Sequence, residues 1–304
     1  MKAVIDIGTN TFHLNIADVL PNGEIIFHHK SYEPVKLGEG GINKGTIVAE
    51  AYKRGVNTLV DFSKIITKYP VKNIIAIATA AVRDADNRLQ FMGEVLEKSG
   101  IQIQIISGDE EAQLIYEGAK AAICLNGHSY LIMDIGGGSV EFIICNQNQI
   151  YWKESFKVGA ARLMAEFTKH DPLSPLDILN IENYLEQELL TLISACQKFN
   201  PQVIVGTAGS FESYAEIISL ENNYLFNPDQ EKSFEFDTVE LHHILDTFKT
   251  STHKQRLATK GLIPLRIDMI VVASVITSFI LRKFKIPKVL LSTYALKEGA
   301  LLTL

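Results

Sequence analysis

Two short segments carry residue types suited to holding phosphate. Asp6-Ile7-Gly8-Thr9-Asn10-Thr11 and Asp134-Ile135-Gly136-Gly137-Gly138-Ser139 each end an apolar run with an aspartate, followed by small or donor-rich residues. Glycines lack a Cβ, so the backbone there can take positive φ and approach a ligand closely. Successive N–H groups in such a turn form an anion-binding concavity. Thr9, Asn10 and Thr11 add hydroxyl and amide donors. Ordinary hairpin turns would also produce glycine-rich connections, but a hairpin needs no aspartate at the end of the preceding strand in both copies. The chain contains neither GxxxxGK[ST] nor GxGxxG, so neither a Walker NTPase nor a Rossmann dehydrogenase is supported.

Asp6 and Asp134 close apolar strands, and buried carboxylates are costly unless paired, hydrogen-bonded or on a metal. Two of them facing one cleft suggest a Mg²⁺ site, since Mg²⁺ takes few carboxylates together with water and phosphate oxygens. Glu141 lies two residues beyond Ser139, so period-2 geometry puts both on one strand face. Ser107-Gly108-Asp109-Glu110 fits a helix capping box, which accounts for Ser107 and Glu110 structurally. Glu111 lies beyond that box and is left unexplained by it. Arg83 and Arg88 follow an apolar strand, where ligands of α/β sheets bind. Lys36 precedes the flexible Leu37-Gly38-Glu39-Gly40-Gly41, and Arg162 and Arg266 are further candidates. Spacing alone does not rank these cations. The eight histidines are read as non-catalytic, His13 included.

The elements that position these residues follow from periodicity. Strands are expected over residues 3–7, 12–20, 24–35, 73–82 and 101–106, and helices over 46–68, 87–98 and 109–123. The pattern then restarts. Strands are expected over 130–135, 140–145, 149–158, 203–205 and 289–292, with helices from 159, 176, 210, 267 and 295 and a mostly helical stretch over 222–252. The restart is an internal repeat at domain scale. It implies mixed sheets covered by helices, in two similar domains of residues 1–124 and 125–304 whose loops face each other, with the last helix a candidate to pack back on the first.

Composition sets the remaining bounds. With 304 residues, 47% hydrophobic and 21% charged, the chain reads as ordinary globular protein. A formal charge of −6 argues against nucleic acid or an anionic membrane as partner, so a polyanionic substrate must meet local cations or a metal. Cys124, Cys145 and Cys196 show no zinc or redox spacing, and a reduced cytoplasm is the simplest setting. Asp6 interrupts the first apolar run too early for a secretory signal, and the apolar stretch 267–281 is too short to span a bilayer.

Together these motifs resemble the exopolyphosphatase / guanosine pentaphosphate phosphatase (Ppx/GppA) family, in order along nearly the whole chain. Asp6 to Leu14 looks like its first phosphate motif, Val35-Lys36-Leu37-Gly38-Glu39-Gly40 its basic glycine loop, and Ala78 to Asn87 its arginine motif. Ile106 to Ala112 matches the catalytic glutamate motif, and Asp134 to Glu141 the second phosphate motif. Gly159-Ala160-Ala161-Arg162-Leu163, Gly206-Thr207-Ala208-Gly209-Ser210 and Leu296-Lys297-Glu298-Gly299 complete the series. The phosphate motifs alone would indicate only the actin-like superfamily; the arginine and glutamate motifs in their places are specific.

The resemblance implies an actin-like ATPase / ribonuclease H-like fold, in two domains with a cleft between them. It implies Glu111 as the base that orients water, with Asp134 and Glu141 holding or positioning Mg²⁺ and water. Loops 8–11 and 136–139 would cradle phosphates, and Arg83 and Lys36 would contact the phosphate chain. The expected substrate is inorganic polyphosphate, guanosine pentaphosphate or both, with a homodimer as the possible assembly. Three departures stand out: Lys36 replaces the usual arginine, losing bidentate contact, Ala208 replaces a glycine, and Tyr294-Ala295 precedes Leu296 where the family often has a small or acidic residue and a glycine. The chain matches the short, two-domain form of the family. An actin-like ATP-dependent kinase or ATPase, and a non-catalytic alarmone-binding sensor, are the alternatives; the Glu111 and Arg83 motifs disfavour the first and the intact carboxylate set the second.

Overall fold

The computed structural model describes all 304 residues. The first half runs β1 (Lys2–Ile7), β2 (Phe12–Val19), β3 (Ile25–Glu33), α1 (Ala49–Ile66), β4 (Asn73–Ala78), α2 (Ala80–Arg83), α3 (Arg88–Ser99), β5 (Ile103–Ile105) and α4 (Gly108–Ala122). The second runs β6 (Tyr130–Ile135), β7 (Val140–Cys145), β8 (Ile150–Phe156), α5 (Ala160–Phe167), α6 (Pro175–Glu188), α7 (Leu190–Phe199), β9 (Val203–Thr207) and α8 (Ala208–Glu221). It closes with β10 (Ser233–Phe236), α9 (Thr238–Thr250), α10 (His253–Ala258), α11 (Met269–Phe284), β11 (Lys288–Ser292) and α12 (Leu296–Thr303).

The two sheets share one topology. Their orders are β3-β2-β1-β4-β5 and β10-β11-β9-β6-β7-β8. In each, a three-strand antiparallel meander leads into strands parallel to its first member. β10 is an added antiparallel edge on the second sheet. This repeated plan, with helices covering both sheets, is the actin-like, ribonuclease H-like fold. β1 and β6 are central and apolar because both faces of such a sheet are covered. Their carboxyl ends therefore deliver Asp6 and Asp134 to corresponding positions.

Three apolar cores hold the molecule. One lies under each outer helical layer, and the third joins the halves around Ile77, Ile115, Ala119, Ile132, Ile143 and Leu301. Two helices build that shared core by crossing over. α4 ends the first half yet packs on β7 and β8, and α12 ends the second half yet packs on β1, β2 and α4. Glycines allow the α4–α12 backbones to touch: a Cβ on Gly118 would stand 2.1 Å from the Ala295 carbonyl oxygen, and one on Gly299 1.9 Å from that of Leu114.

Several elements differ from the sequence expectation. The strand expected over 73–82 stops at Ala78, and Ala80–Arg83 turns into α2, so Arg83 is helical. The stretch 222–252 contains the four-residue strand β10, an edge strand too short to show a clear period. α6 and α7 divide what reads as one helix from 176. No helix is long and apolar enough to cross a membrane.

Candidate active site

The β1–β2 and β6–β7 connections are the same structure twice. Gly8 N–H donates to Thr11 O at 3.2 Å, and Gly136 N–H to Ser139 O at 3.0 Å. Inside each turn, the next three N–H groups (Thr9, Asn10 and Thr11; Gly137, Gly138 and Ser139) donate to no protein atom. Such unsatisfied backbone donors are costly unless a ligand or water accepts from them. Both loops line one cleft of about 210 Å³ between the halves, together with Asp6, Glu111 and Asp134.

The glycines of the second loop serve close approach rather than unusual torsion, for none of Gly136, Gly137 and Gly138 has positive φ. A Cβ on Gly138 would lie 2.6 Å from Ala80 Cβ and 2.7 Å from Thr9 Oγ1, across the cleft. Arg162 pins this closed arrangement. It donates from Nε to Gly138 O at 3.1 Å, from Nη1 to Ile42 O at 3.0 Å, and from Nη2 to Asp84 Oδ2 at 3.0 Å.

Glu111 reaches the cleft because its neighbours are used elsewhere. Ser107 caps α4: its Oγ accepts from Glu110 N–H at 3.2 Å, and Glu110 Oε2 accepts from Ser107 N–H at 2.7 Å. Glu110 is thereby turned to solvent, and Glu111, one position on, is turned inward and buried. Arg83 Nη1 donates to Glu111 Oε2 at 2.8 Å and to Ile106 O at 3.1 Å. Burial pushes the Glu111 pKa well above the usual carboxylate range, and nearby Glu141 adds to this, while Arg83 opposes it.

The other carboxylates are also held against burial. Asp134 accepts from Thr207 Oγ1 at 2.7 Å, and burial still raises its pKa. Glu141, buried behind the second loop, accepts from Ser155 Oγ at 2.6 Å; burial and Asp134 push it up to about 7. Asp6 is likewise pushed up to about 7 by burial, with Lys297 opposing and Asp134 reinforcing. His13 lines the cleft, and burial holds its pKa well below 6.5, so it stays neutral.

No three His, Cys, Asp or Glu side chains stand close enough to cage a metal by themselves. Asp134 nevertheless raises the pKa of both Asp6 and Glu141, a concentration of negative charge that Lys297 and Arg83 offset only in part. That combination fits a hard cation such as Mg²⁺, anchored by one or two carboxylates and completed by water and phosphate oxygens.

Lys36 is placed otherwise than its motif suggests. Its side chain is exposed and does not line the cleft. At φ +49° it is a turn residue whose backbone matters: its N–H donates to Asn10 O at 2.7 Å, and Gly38 N–H donates to Thr9 O at 2.9 Å. The segment thus braces the first loop through its main chain. Conversely, Lys297, Thr207 and Glu212 were not singled out by pattern, though the first two lie within the matched glycine motifs. Arg266 does line the cleft, bound to Glu212 Oε2 at 2.6 Å and Ser213 Oγ at 3.0 Å. Ala208 sits at φ +64°, a conformation that favours glycine.

Comparison with known proteins agrees with this architecture. The model of the Ppx/GppA phosphatase family matches residues 16–304. The crystal structure of an exopolyphosphatase from Cytophaga hutchinsonii superposes with a TM-score of 0.96 at 36% identity, covering 99% of this chain and 96% of that one. A bifunctional 3-dehydroquinate synthase/phosphatase of Fusobacterium nucleatum is 32% identical over 93% of this chain, which spans only 43% of that longer protein. Exopolyphosphatase 2 of Mycobacterium tuberculosis is 25% identical over 99% of this chain and 98% of its own length.

Proposed function

The chain belongs to the Ppx/GppA phosphatase family, and from that premise we propose that it removes terminal phosphates from inorganic polyphosphate, with guanosine pentaphosphate as a second candidate substrate. The observation that carries this reading is the convergence of six unpaired loop amides on one cleft with Glu111, which Arg83 holds from behind the cleft wall.

Phosphoryl transfer needs in-line placement of the nucleophile and neutralisation of oxygen charge more than covalent help. The amides of Thr9, Asn10 and Thr11 and of Gly137, Gly138 and Ser139 are the donors for the phosphate oxygens. Glu111 orients a water against the terminal phosphorus and takes its proton. The water oxygen bonds to phosphorus, the P–O–P bond breaks, and the shortened chain leaves with the bridging oxygen. A carboxylate with a raised pKa is a stronger proton acceptor near neutral pH. Arg83 holds Glu111 in place and keeps enough of it ionised to act. Asp134, with Glu141 and Asp6 beside it, would hold Mg²⁺, which when bound neutralises charge on phosphate oxygens. Thr207 and Ser155 fix the orientation of Asp134 and Glu141 for that role.

The test is phosphate release from long-chain polyphosphate and from guanosine pentaphosphate, side by side with Mg²⁺, for wild type and Glu111→Gln. Release by the wild type and its loss in the variant are expected. A wild type inert on both substrates, or a variant as active as the wild type, would overturn the reading.

A further inference from the structure

Two cations line the cleft, and they differ in availability. Arg266 is held by Glu212 at 2.6 Å and by Ser213. The Lys297 ammonium makes no hydrogen bond to the protein and has no carboxylate oxygen within 4.0 Å. Just behind the cleft wall, Arg83 is bound to Glu111 and Arg162 to Asp84. Arg162 donates from all three of its nitrogens, while Arg83 and Arg266 keep free N–H groups but are anchored to their carboxylates, and moving either head toward a substrate would stretch that charge-assisted bond, at a cost in affinity. Lys297 carries no such cost, and its three rotatable donors suit a phosphate oxygen as a point charge.

The fold also fixes where Lys297 points. It lies in the first turn of α12, whose axis is set by the backbone contact with α4 at Gly118 and Gly299. Rotation is set by Glu298, buried, whose Oε2 accepts from Ala295 N–H at 3.0 Å and whose Oε1 accepts from Asn15 Nδ2 at 3.4 Å. With Glu298 turned to β2, the preceding residue faces the cleft. Burial works against the ammonium charge, but Glu298, Asp6, Glu212 and Asp134 around it outweigh burial and keep Lys297 protonated.

We propose that Lys297 is a substrate-binding residue, the cation of this cleft whose head is anchored to no protein partner and is free to move onto a phosphate oxygen. The inference rests on the phosphatase reading above and adds a residue to it. A competing role would be purely internal, with Lys297 only balancing Asp6 and Asp134; that role would alter melting temperature and pH profile more than affinity.

The experiment has two arms. Tripolyphosphate affinity is measured by calorimetry on the Glu111→Gln background, with Lys297 intact, Lys297→Met or Lys297→Arg. Separately, kcat and KM for polyphosphate are measured for wild type, K297M and K297R. Loss of one charged hydrogen bond should weaken tripolyphosphate binding roughly tenfold or more in K297M, with most of it recovered in K297R. KM should rise by a similar factor while kcat changes much less. Tripolyphosphate affinity in K297M within about twofold of its parent would overturn the inference. An inert wild type would sink the phosphatase reading instead, and the calorimetric comparison would still decide Lys297.

Discussion

Arg83 and Glu111 meet at 2.8 Å although they enter the site on different helices, α2 and α4. Each helix begins where a strand of the first sheet ends. The pair is thus built on the rigid edge of that sheet, facing the glycine loop of the second half. A bonded, buried carboxylate with a raised pKa, lining the same cleft as the free amides, is the arrangement the proposed water-activating base would need.

Substituting Glu111→Gln keeps the size of the side chain and an oxygen for Arg83, but removes the proton acceptor. We expect kcat to fall by at least about a hundredfold, the usual contribution of a general base. KM and the melting temperature should change little, since burying a neutral amide is easier than burying a charge. Steady-state phosphate release and a thermal melt together check this. Near-wild-type kcat would remove Glu111 from the chemistry.

Arg83 lowers the pKa of Glu111 against the opposing effect of burial. Taking it away, as Arg83→Met, leaves burial and Glu141 to raise that pKa further. The base is active when ionised, so the acidic limb of the kcat/KM profile should move to higher pH. The loss of activity should accordingly be greater at pH 6 than at pH 9. Parallel profiles for R83M and wild type, offset by a constant factor, would show that Arg83 acts on substrate alone.

The carboxylate cluster also predicts the pH dependence of stability. Asp6 rises from 3.8 to about 7 and Glu141 from 4.5 to about 7 in the folded protein. The folded state therefore binds these protons more tightly than the unfolded state between those limits, and stability falls as pH rises through that window. Metal-free protein should melt at a lower temperature at pH 8 than at pH 5. Added Mg²⁺ should stabilise it more at pH 8, where no proton competes, by the usual ligand linkage. Scanning calorimetry in EDTA and in Mg²⁺ reads both effects; equal Mg²⁺ stabilisation at the two pH values would detach the metal from these carboxylates.

How much of this was visible in the chain depends on how local each feature is. The repeat of Asp6 and Asp134 was legible, because an apolar strand followed by a glycine turn is encoded within a dozen residues. The cap that separates Glu110 from Glu111 was legible for the same reason. Arg83 reads as following a strand that runs to Val82, because the apolar run continues through Ala80-Ala81-Val82, whereas the chain leaves the strand after Ala78 and carries Arg83 on α2. Lys36 drew attention as a charge beside glycines, yet its φ of +49° and its exposed side chain show that the segment works through its backbone. Lys297 was not singled out because its direction depends on α12 crossing to the other half and being locked by Asn15, which lies 283 residues before Glu298. Side chains oriented by long-range docking leave no periodic trace.

Gly138 offers a test of how tightly the halves must close. Its own φ lies outside the left-handed region, so alanine would be tolerated by the backbone. The obstacle is across the cleft, where the added Cβ would stand 2.6 Å from Ala80 Cβ and 2.7 Å from Thr9 Oγ1. Overpacking of this kind costs about 1–3 kcal/mol when neighbours must shift. Here the neighbours belong to the opposite half, so the strain is relieved by parting the two phosphate loops. Gly138→Ala should therefore reduce kcat/KM by roughly tenfold or more, on the scale of a small misplacement at a reacting centre, while the separate cores remain folded. Gly93→Ala is the matched control: a Cβ at Gly93, inside α3, meets nothing within 4 Å. It should raise stability by about 0.5–1 kcal/mol through helix propensity and leave turnover unchanged. If G138A were as active as G93A, the loops would not need to approach as closely as Gly138 and Thr9 do, and catalysis would proceed from a more open cleft.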